Sequence, residues 1–336
     1  MVKIAVIGAG VVGLSTAINI QELVPNATVT LFADKFEKDT TSWGAGGLFR
    51  PTFHHIKGDK ELIRRWVQAS WNFYSAKALS SESKEIGAFL IDGYSFSSKK
   101  EADPLLESVT FNVRLLSDKE KECKGFKYPY VHLISTITIS PGQLLPYLMR
   151  RFQQLGGTSY FKTVASLEEF VGKFDIVVNC TALACRQLIG DESIFPVRGQ
   201  LRRVRAPWIK NWYLTDDDTY LIPQANGEVT LGGCRQKGNY DLEVDEQLSE
   251  DISKRCEQLV PGVTGAEVIF DWVGLRPTRE PLRVEKELMD FNGNKLRVVH
   301  NYGHGANGIS LSWGTAIDAA KLVKDWTRQM SFTSRL

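Results

Sequence analysis

Residues 3–23, KIAVIGAGVVGLSTAINIQEL, open with a short apolar run from Ile4 to Ile7. Three glycines interrupt it, and Leu14, Ala17, Ile18 and Leu23 then recur along one face of a helix. Residues 27–34, ATVTLFAD, read as a second strand that ends on an acid, which completes a β-α-β unit. Two later apolar runs, FDIVVNCTAL (174–183) and LRVVHNYG (296–303), have no polar alternation and so predict strands buried on both faces of a parallel sheet. The second enters a glycine-rich turn, GHGANG, and then a helix, ISLSWGTAIDAAKLVKDWTRQ. GQLRRVRAPW (199–208), TYLIPQANGEVTLGGC (219–234) and DWVGLRP (271–277) instead carry the alternation and turn glycines of antiparallel strands. The pattern predicts an α/β fold. A Rossmann-like domain is assembled discontinuously from residues 1–50, 135–190 and 285–336, and an antiparallel β-rich domain, 51–134 and 191–284, is inserted between its pieces.

Composition narrows the class without deciding it. The 336 residues are 43% hydrophobic and 24% charged, and 41 basic against 39 acidic residues leave a net charge of +2. Bulk electrostatics therefore gives no push toward nucleic acid or an anionic membrane. No stretch approaches the ~20 apolar residues of a membrane span, and the N-terminus lacks the apolar core of a secretory signal. Cys123, Cys180, Cys185, Cys234 and Cys256 are odd in number and widely spaced, as expected of reduced thiols rather than a disulfide framework or a zinc site. No metal is expected, since His54 and His55 lack a third ligand at metal spacing and read as part of a polar loop.

Gly8-Ala9-Gly10-Val11-Val12-Gly13 is GxGxxG, placed directly after a strand and opening a helix. Its glycines allow a tight turn and close approach of a ligand, and the amides at Val11 and Val12 can hold a pyrophosphate. Asp34, roughly 20 residues beyond the last glycine, can accept hydrogen bonds from an adenosine ribose. Its charge disfavours NADP, while NAD and FAD both fit the motif. The second glycine-rich segment, Gly303 to Gly308 ahead of a helix, favours FAD.

The segment VGLRPTREPLRVE (273–285) raises a sharper question. Glu280 and Glu285 can neutralise Arg279 and Arg283 as solvated charges, but Arg276 ends a buried run and needs an anion to offset its desolvation.

The segments VIGAGVVGLSTA, DTTSWGAGGL, DIVVNCTAL, FPVRGQ, TLGGCRQKGN, VGLRPTR and HNYGHGANGISLSWGTA resemble the D-amino-acid oxidase family, over residues 2 to about 325. The resemblance implies peroxisomal flavoenzymes that oxidise D-amino acids with dioxygen. The discontinuous domain is then FAD-binding and the inserted one substrate-binding. Position by position it implies FAD contacts at Asp34, Lys35, Thr41, Ser42, Gly47, Leu48, Val164, Thr181, Gly305, Gly308, Ile309 and Ser310. It also implies that Arg276 and Tyr220 bind the substrate α-carboxylate and that Ala306 offers its carbonyl to the amine.

GGCRQKGN is similar to the branch of the family that takes acidic substrates, which puts Arg235 near the substrate side chain, and Arg50 in GGLFRP is a second candidate. A second guanidinium in a pocket suits a second carboxylate and is left unpaired by a neutral side chain. The loop YLTDDDTY (213–220) departs from that branch: Leu214 and Thr215 occupy a region that can carry another arginine there. Asp216, Asp217 and Asp218 would repel an acid if they faced inward, so the loop reads as an open, solvated turn.

The expected reaction transfers the α-hydrogen as hydride to FAD, with orientation by Arg276 and Tyr220 in place of an acid–base residue. The imino acid then hydrolyses to a keto acid and ammonia, and dioxygen becomes hydrogen peroxide. The alternatives are an oxidase of neutral D-amino acids, a flavoenzyme for glycine or N-methylated amino acids, an NAD-dependent dehydrogenase, and a non-catalytic dinucleotide sensor. Ser334-Arg335-Leu336 resembles the S-K-L peroxisomal address and implies an import receptor as partner. A homodimer and a monomer suit the sequence equally. His304, Trp66, Trp71, Cys180 and Cys185 read as packing residues.

Overall fold

A computed structural model describes residues 1–333. The tripeptide Ser334-Arg335-Leu336 lies outside the described residues.

Among the described residues, the strands join in one fourteen-stranded sheet with two regimes. In chain order they are β1 (Val2–Ile7), β2 (Ala27–Ala33), β3 (Ala88–Ser97), β4 (Asn112–Leu115), β5 (Tyr130–Ile139), β6 (Thr158–Phe161) and β7 (Ile176–Asn179). They continue as β8 (Phe195–Arg205), β9 (Trp212–Leu214), β10 (Tyr220–Pro223), β11 (Glu228–Gly232), β12 (Gln236–Lys237), β13 (Glu267–Phe291) and β14 (Asn294–His304). The run β14-β7-β1-β2-β6 is wholly parallel. The run β4-β5-β3-β9-β10-β11-β8-β13 is antiparallel except where β3 meets β9.

β13 joins the two regimes. Its first half, Glu267 to Thr278, pairs with β8, and its second half, Arg283 to Phe291, pairs with β14. The register shifts between Thr278 and Arg283, so the strand turns from one partner to the other immediately after Arg276. The local sequence accounts for the change, because Pro277 and Pro281 cannot donate to a ladder.

The helix Val11–Leu23 is buried on more than the single face its apolar spacing predicts. Ser15, Thr16 and Asn19 are buried with Leu14, Ala17 and Ile18, because the helices Gly308–Thr333 and Pro141–Gln154 both pack against it. Two of the three side chains are bonded: Thr16 Oγ1 donates to Val12 O at 2.7 Å and accepts from Asn301 Nδ2 at 2.9 Å, and Asn19 Nδ2 donates to Ser15 O at 2.8 Å. The helix Lys60–Ala78 docks on the last helix through Trp66, whose Nε1 donates to Asp318 at 2.8 Å, and it buries Trp71.

The strand expected at 174–183 is shorter than its apolar run, ending at Asn179. Asn179 Oδ1 accepts from Thr181 N at 3.1 Å and Thr181 Oγ1 at 2.7 Å, and this side-chain turn removes the chain from the sheet.

Candidate active site

The dinucleotide residues predicted from the sequence gather at one edge of the parallel sheet. Gly8 follows β1, Asp34 follows β2, Val164 lies beyond β6, Thr181 follows β7 and Gly305 follows β14. These are the carboxyl ends of all five parallel strands, with β1 flanked by β2 on one side and β7 on the other. That is the switch point at which open α/β sheets bind ligands.

Space at this edge is kept by glycine. Gly8 has φ +109°, and a Cβ there would stand 2.5 Å from Cys180 O. A Cβ on Gly13 would stand 1.9 Å from Gly8 O, so the turn closes only without side chains. The helix they open has no acid in its first turn. Ser42 Oγ accepts from Val11 N at 3.1 Å, which ties the loop of Thr41 and Ser42 to the glycine turn. Gly47 leans on the Ile139 carbonyl, and Leu48 bridges to Thr138 on β5. Asp34 and Lys35 are exposed, free to meet a ribose. Ile309 and Ser310 are buried at the start of the last helix, which Gly308 begins. A glycine cradle, a helix N-terminus free of acids and an exposed carboxylate are the donor and acceptor set that an FAD pyrophosphate and adenosine require.

A cavity of about 340 Å³ adjoins this edge where β13 and β14 part. Arg235, Arg276, Arg279, His304, Gly305 and Ala306 are on its wall. Arg276 Nη1 donates to Cys234 O at 2.9 Å. Its guanidinium lies across Gly199 on the neighbouring strand, where a Cβ would stand 2.3 Å from Nη2. Among the described residues, no carboxylate pairs with Arg276.

Arg279, on the same wall, is already paired. Arg279 Nε donates to Asp191 at 2.8 Å, and its Nη1 donates to Pro281 O. Arg279 is thus a buttress for the strand turn, anchored to Asp191 across the fold, instead of a solvated charge beside Glu280. Arg283 meets Glu285 as expected but is not solvated: it also bonds Glu287 and the Tyr302 hydroxyl and is mostly buried.

Tyr220 and Arg50 are not on this wall. The Tyr220 ring covers the Gly232-Gly233 peptide, with a Gly232 Cβ placed 2.0 Å from its Cζ. Burial holds its phenol above the ordinary value, while the charges of Arg276 and Arg235 oppose that rise, so the hydroxyl is a neutral donor beside both guanidiniums. Arg50 Nη2 donates to Ser95 Oγ at 2.9 Å, and its buried Nε has no partner among the described residues. Burial lowers the pKa of Arg50, an effect that Asp103 and Asp216 oppose and Arg235 reinforces.

The acidic loop differs from the open turn its sequence suggests. Thr215 N donates to Thr219 O at 3.0 Å, and Asp217 bonds Thr215 and Thr219 inside the turn. Asp216 accepts from Ser98 N and Oγ, facing away. Arg255 clamps the loop from the helix Glu246–Leu259, donating to Thr219 Oγ1 and Gly233 O. Asp218 turns inward and accepts from Arg235 Nε at 2.6 Å.

Candidate acid–base groups are poorly suited to proton transfer. His304 faces Thr315 Oγ1 at 2.9 Å, and burial pushes it down to about 3. His55, at the cavity mouth against His54, is lowered to about 4 by desolvation and by the charge of Arg235. Both imidazoles are neutral near pH 7. Gly199, Gly232 and Gly233 seat the functional side chains and were absent from the sequence expectation. A glycine inside a predicted strand is the signal that marks such a close approach.

Comparison with known proteins agrees with this geometry. The model of a family described as FAD dependent oxidoreductase matches residues 3–322. The chain is 41% identical to D-aspartate oxidase of Homo sapiens over 330 residues, 96% of this chain and 95% of that protein. It is 37% identical to a D-amino acid oxidase of Dugesia ryukyuensis over 328 residues, 96% and 97% of the two chains. Among solved structures, glycine oxidase from Geobacillus kaustophilus shares the fold with a TM-score of 0.79 at 20% identity, over 97% of this chain and 95% of that one.

Proposed function

The chain belongs to the FAD dependent oxidoreductase family, and from that premise we propose that it oxidatively deaminates D-amino acids, with acidic side chains preferred. The products are the 2-oxo acid, ammonia and hydrogen peroxide. The observation that carries this reading is Arg276: among the described residues, it is the guanidinium on the cavity wall that no carboxylate neutralises, and it adjoins the dinucleotide edge. FAD would be held by the cradle of Gly8, Gly10 and Gly13 with Asp34, and would supply the hydride acceptor.

The chain's own residues bind and orient. Arg276 offers a planar fork to the α-carboxylate, and the neutral Tyr220 hydroxyl can donate to the same group. Ala306, on the wall next to Gly305, offers its carbonyl to the amine. Both terminal nitrogens of Arg235 have no protein partner among the described residues, which suits a side-chain carboxylate. Burial lowers the basicity of His304 and His55, so neither is poised to take a proton, and orientation does the catalytic work. Chirality follows from three held substituents, since an L-isomer bound by the same carboxylate and amine exchanges the places of hydrogen and side chain.

Arg50, half-buried and without a carboxylate partner among the described residues, adds positive potential behind the side-chain region. The human and planarian relatives carry the names D-aspartate oxidase and D-amino acid oxidase, which supports the same substrate class. A peroxide-forming reaction together with Ser334-Arg335-Leu336 supports residence in the peroxisome through an import receptor. Fluorescent fusions with and without that tripeptide test this.

The reading is tested by ammonia and peroxide assays on D-aspartate, D-glutamate, D-alanine and L-aspartate. Equimolar ammonia and peroxide from the acidic D-isomers, with little from D-alanine and none from L-aspartate, is the expected result. Preference for D-alanine overturns the acidic assignment, and release from L-aspartate overturns the stereochemistry.

A further inference from the structure

The two substrate-facing guanidiniums are not in the same electrostatic state. Arg276 has no carboxylate partner, whereas Arg235 is already paired to Asp218 at 2.6 Å. The pairing uses Nε alone, so the two terminal nitrogens of Arg235 keep no protein partner among the described residues. Asp218 is also firmly placed. It sits in the left-handed region at φ +63°, its amide donates to Thr215 O at 3.2 Å, and its turn is closed by the Thr215–Thr219 bond and clamped by Arg255. Its neighbours Asp216 and Asp217 are spent on Ser98 and on the turn itself. One acid of three is therefore directed at the arginine.

This arrangement bears on what the site demands of a substrate. A carboxylate is needed at Arg276, because an unpaired guanidinium there stays desolvated and uncompensated. No such demand exists at Arg235. A neutral side chain leaves the Arg235–Asp218 pair intact, while an acidic one adds bonds to its free nitrogens against partial repulsion from Asp218. Arg50, set off the wall, is offset by Asp103, Asp216 and Asp218, and three groups on the wall do not restore the demand either. Lys237 lies over the Phe195 ring, Arg279 is paired to Asp191, and His55 is neutral near pH 7.

We propose that Asp218 is a resident counter-ion that sets how strictly the site selects for an acidic side chain, by neutralising Arg235 from its Nε edge while leaving its terminal nitrogens to the substrate. Asp218 is a positioning and specificity residue, and its role rests on the reading of Arg235 as the side-chain subsite. Removing its charge converts a site that prefers acidic side chains into one that requires them.

The test compares D-aspartate with D-asparagine, which share shape and differ in side-chain charge, in wild type and in Asp218→Asn. Asparagine retains an acceptor for Nε and tolerates the left-handed backbone, so the variant keeps the fold. The ratio of kcat/KM for D-aspartate over D-asparagine rises about fivefold, as expected for one partly exposed charge pair, mainly through KM. Asp218→Gly, which accepts the same backbone but removes both charge and acceptor, separates charge from orientation. If Asp218 only orients Arg235, the glycine variant loses activity on D-aspartate and the asparagine variant leaves the ratio unchanged, which overturns the inference. A readout free of turnover distinguishes this failure from failure of the proposed reaction. Perturbation of the flavin spectrum gives dissociation constants for succinate and butyrate, and their ratio moves toward succinate by the same factor in Asp218→Asn. A shifted ratio in a protein that oxidises no D-amino acid leaves the counter-ion standing and the reaction wrong; an unshifted one in an active oxidase does the reverse.

Discussion

At the scale of single residues, Arg276 was legible because chemistry constrains it. A guanidinium that closes an apolar run must have an anion, and the structure supplies none from the protein. Arg276→Lys replaces a planar fork with a point charge and loses paired bonds to a buried carboxylate. We expect kcat/KM for D-aspartate to fall ~100-fold or more, since breaking one side of a desolvated charge pair costs roughly 3 kcal/mol. Steady-state kinetics checks this, and a loss below tenfold would place the α-carboxylate elsewhere. Gly199 was not legible as a site residue, because nothing in GQLRRVRAPW shows which side chain crosses it. A Cβ there would stand 2.3 Å from Arg276 Nη2 and must displace the guanidinium. Gly199→Ala should therefore raise KM on every D-amino acid alike while leaving the flavin spectrum of the folded protein intact. Asp218 was read as solvated because a run of three acids normally is. Its inward turn depends on Thr215, Thr219, Ser98 and Arg255, all of which lie outside the acidic run and two of which, Ser98 and Arg255, lie far along the chain.

Among the elements, the glycine turn and its helix were legible, since strand, turn and helix are consecutive and local. The helix burying its polar face was not, because Ser15, Thr16 and Asn19 are covered by segments that arrive more than a hundred residues later. β13 was legible only in part: DWVGLRP predicted a strand, but a 25-residue strand that changes partner after Arg276 depends on where β8 and β14 lie. That change of partner puts Arg276 from one sheet regime beside Gly305 and Ala306 from the other. The cradle gives an element-level prediction. A Gly13 Cβ would stand 1.9 Å from Gly8 O, so Gly13→Ala must open the turn that approaches the pyrophosphate. The purified variant should be colourless or retain substoichiometric FAD, read as the ratio of absorbance near 450 nm to that at 280 nm on the ordinary flavin scale. Full flavin occupancy would contradict the placement of the cofactor.

For the whole molecule, the sequence supports two regimes of sheet but does not show that they are continuous. β7 and β14 join through pairing that spans more than a hundred residues, and such partners leave no local mark. The same non-local packing buries His300 and His304. Burial, with Arg283 nearby, pushes His300 to about 4, and burial alone pushes His304 to about 3. Both folded values lie below the unfolded value of about 6.5. Below that pH the unfolded chain binds protons that the native one refuses, so stability falls as pH drops from about 6.5 toward 4 and 3. Each histidine contributes a slope of about 1.4 kcal/mol per pH unit in this window. Denaturant melts between pH 7 and 5 should show the decline, and His304→Asn should flatten it by about one proton. A stability independent of pH over that range would mean that these imidazoles are not buried as neutral groups.

In the proposed reaction, a D-amino acid held by Arg276 delivers its hydride to FAD. Its most direct test is the visible spectrum of the purified protein without oxygen, followed as D-aspartate and then, separately, L-aspartate are added. The account predicts a yellow protein bleached by D-aspartate, untouched by L-aspartate, and recoloured when air is admitted. A yellow protein that neither D-aspartate nor any other D-amino acid bleaches would contradict it.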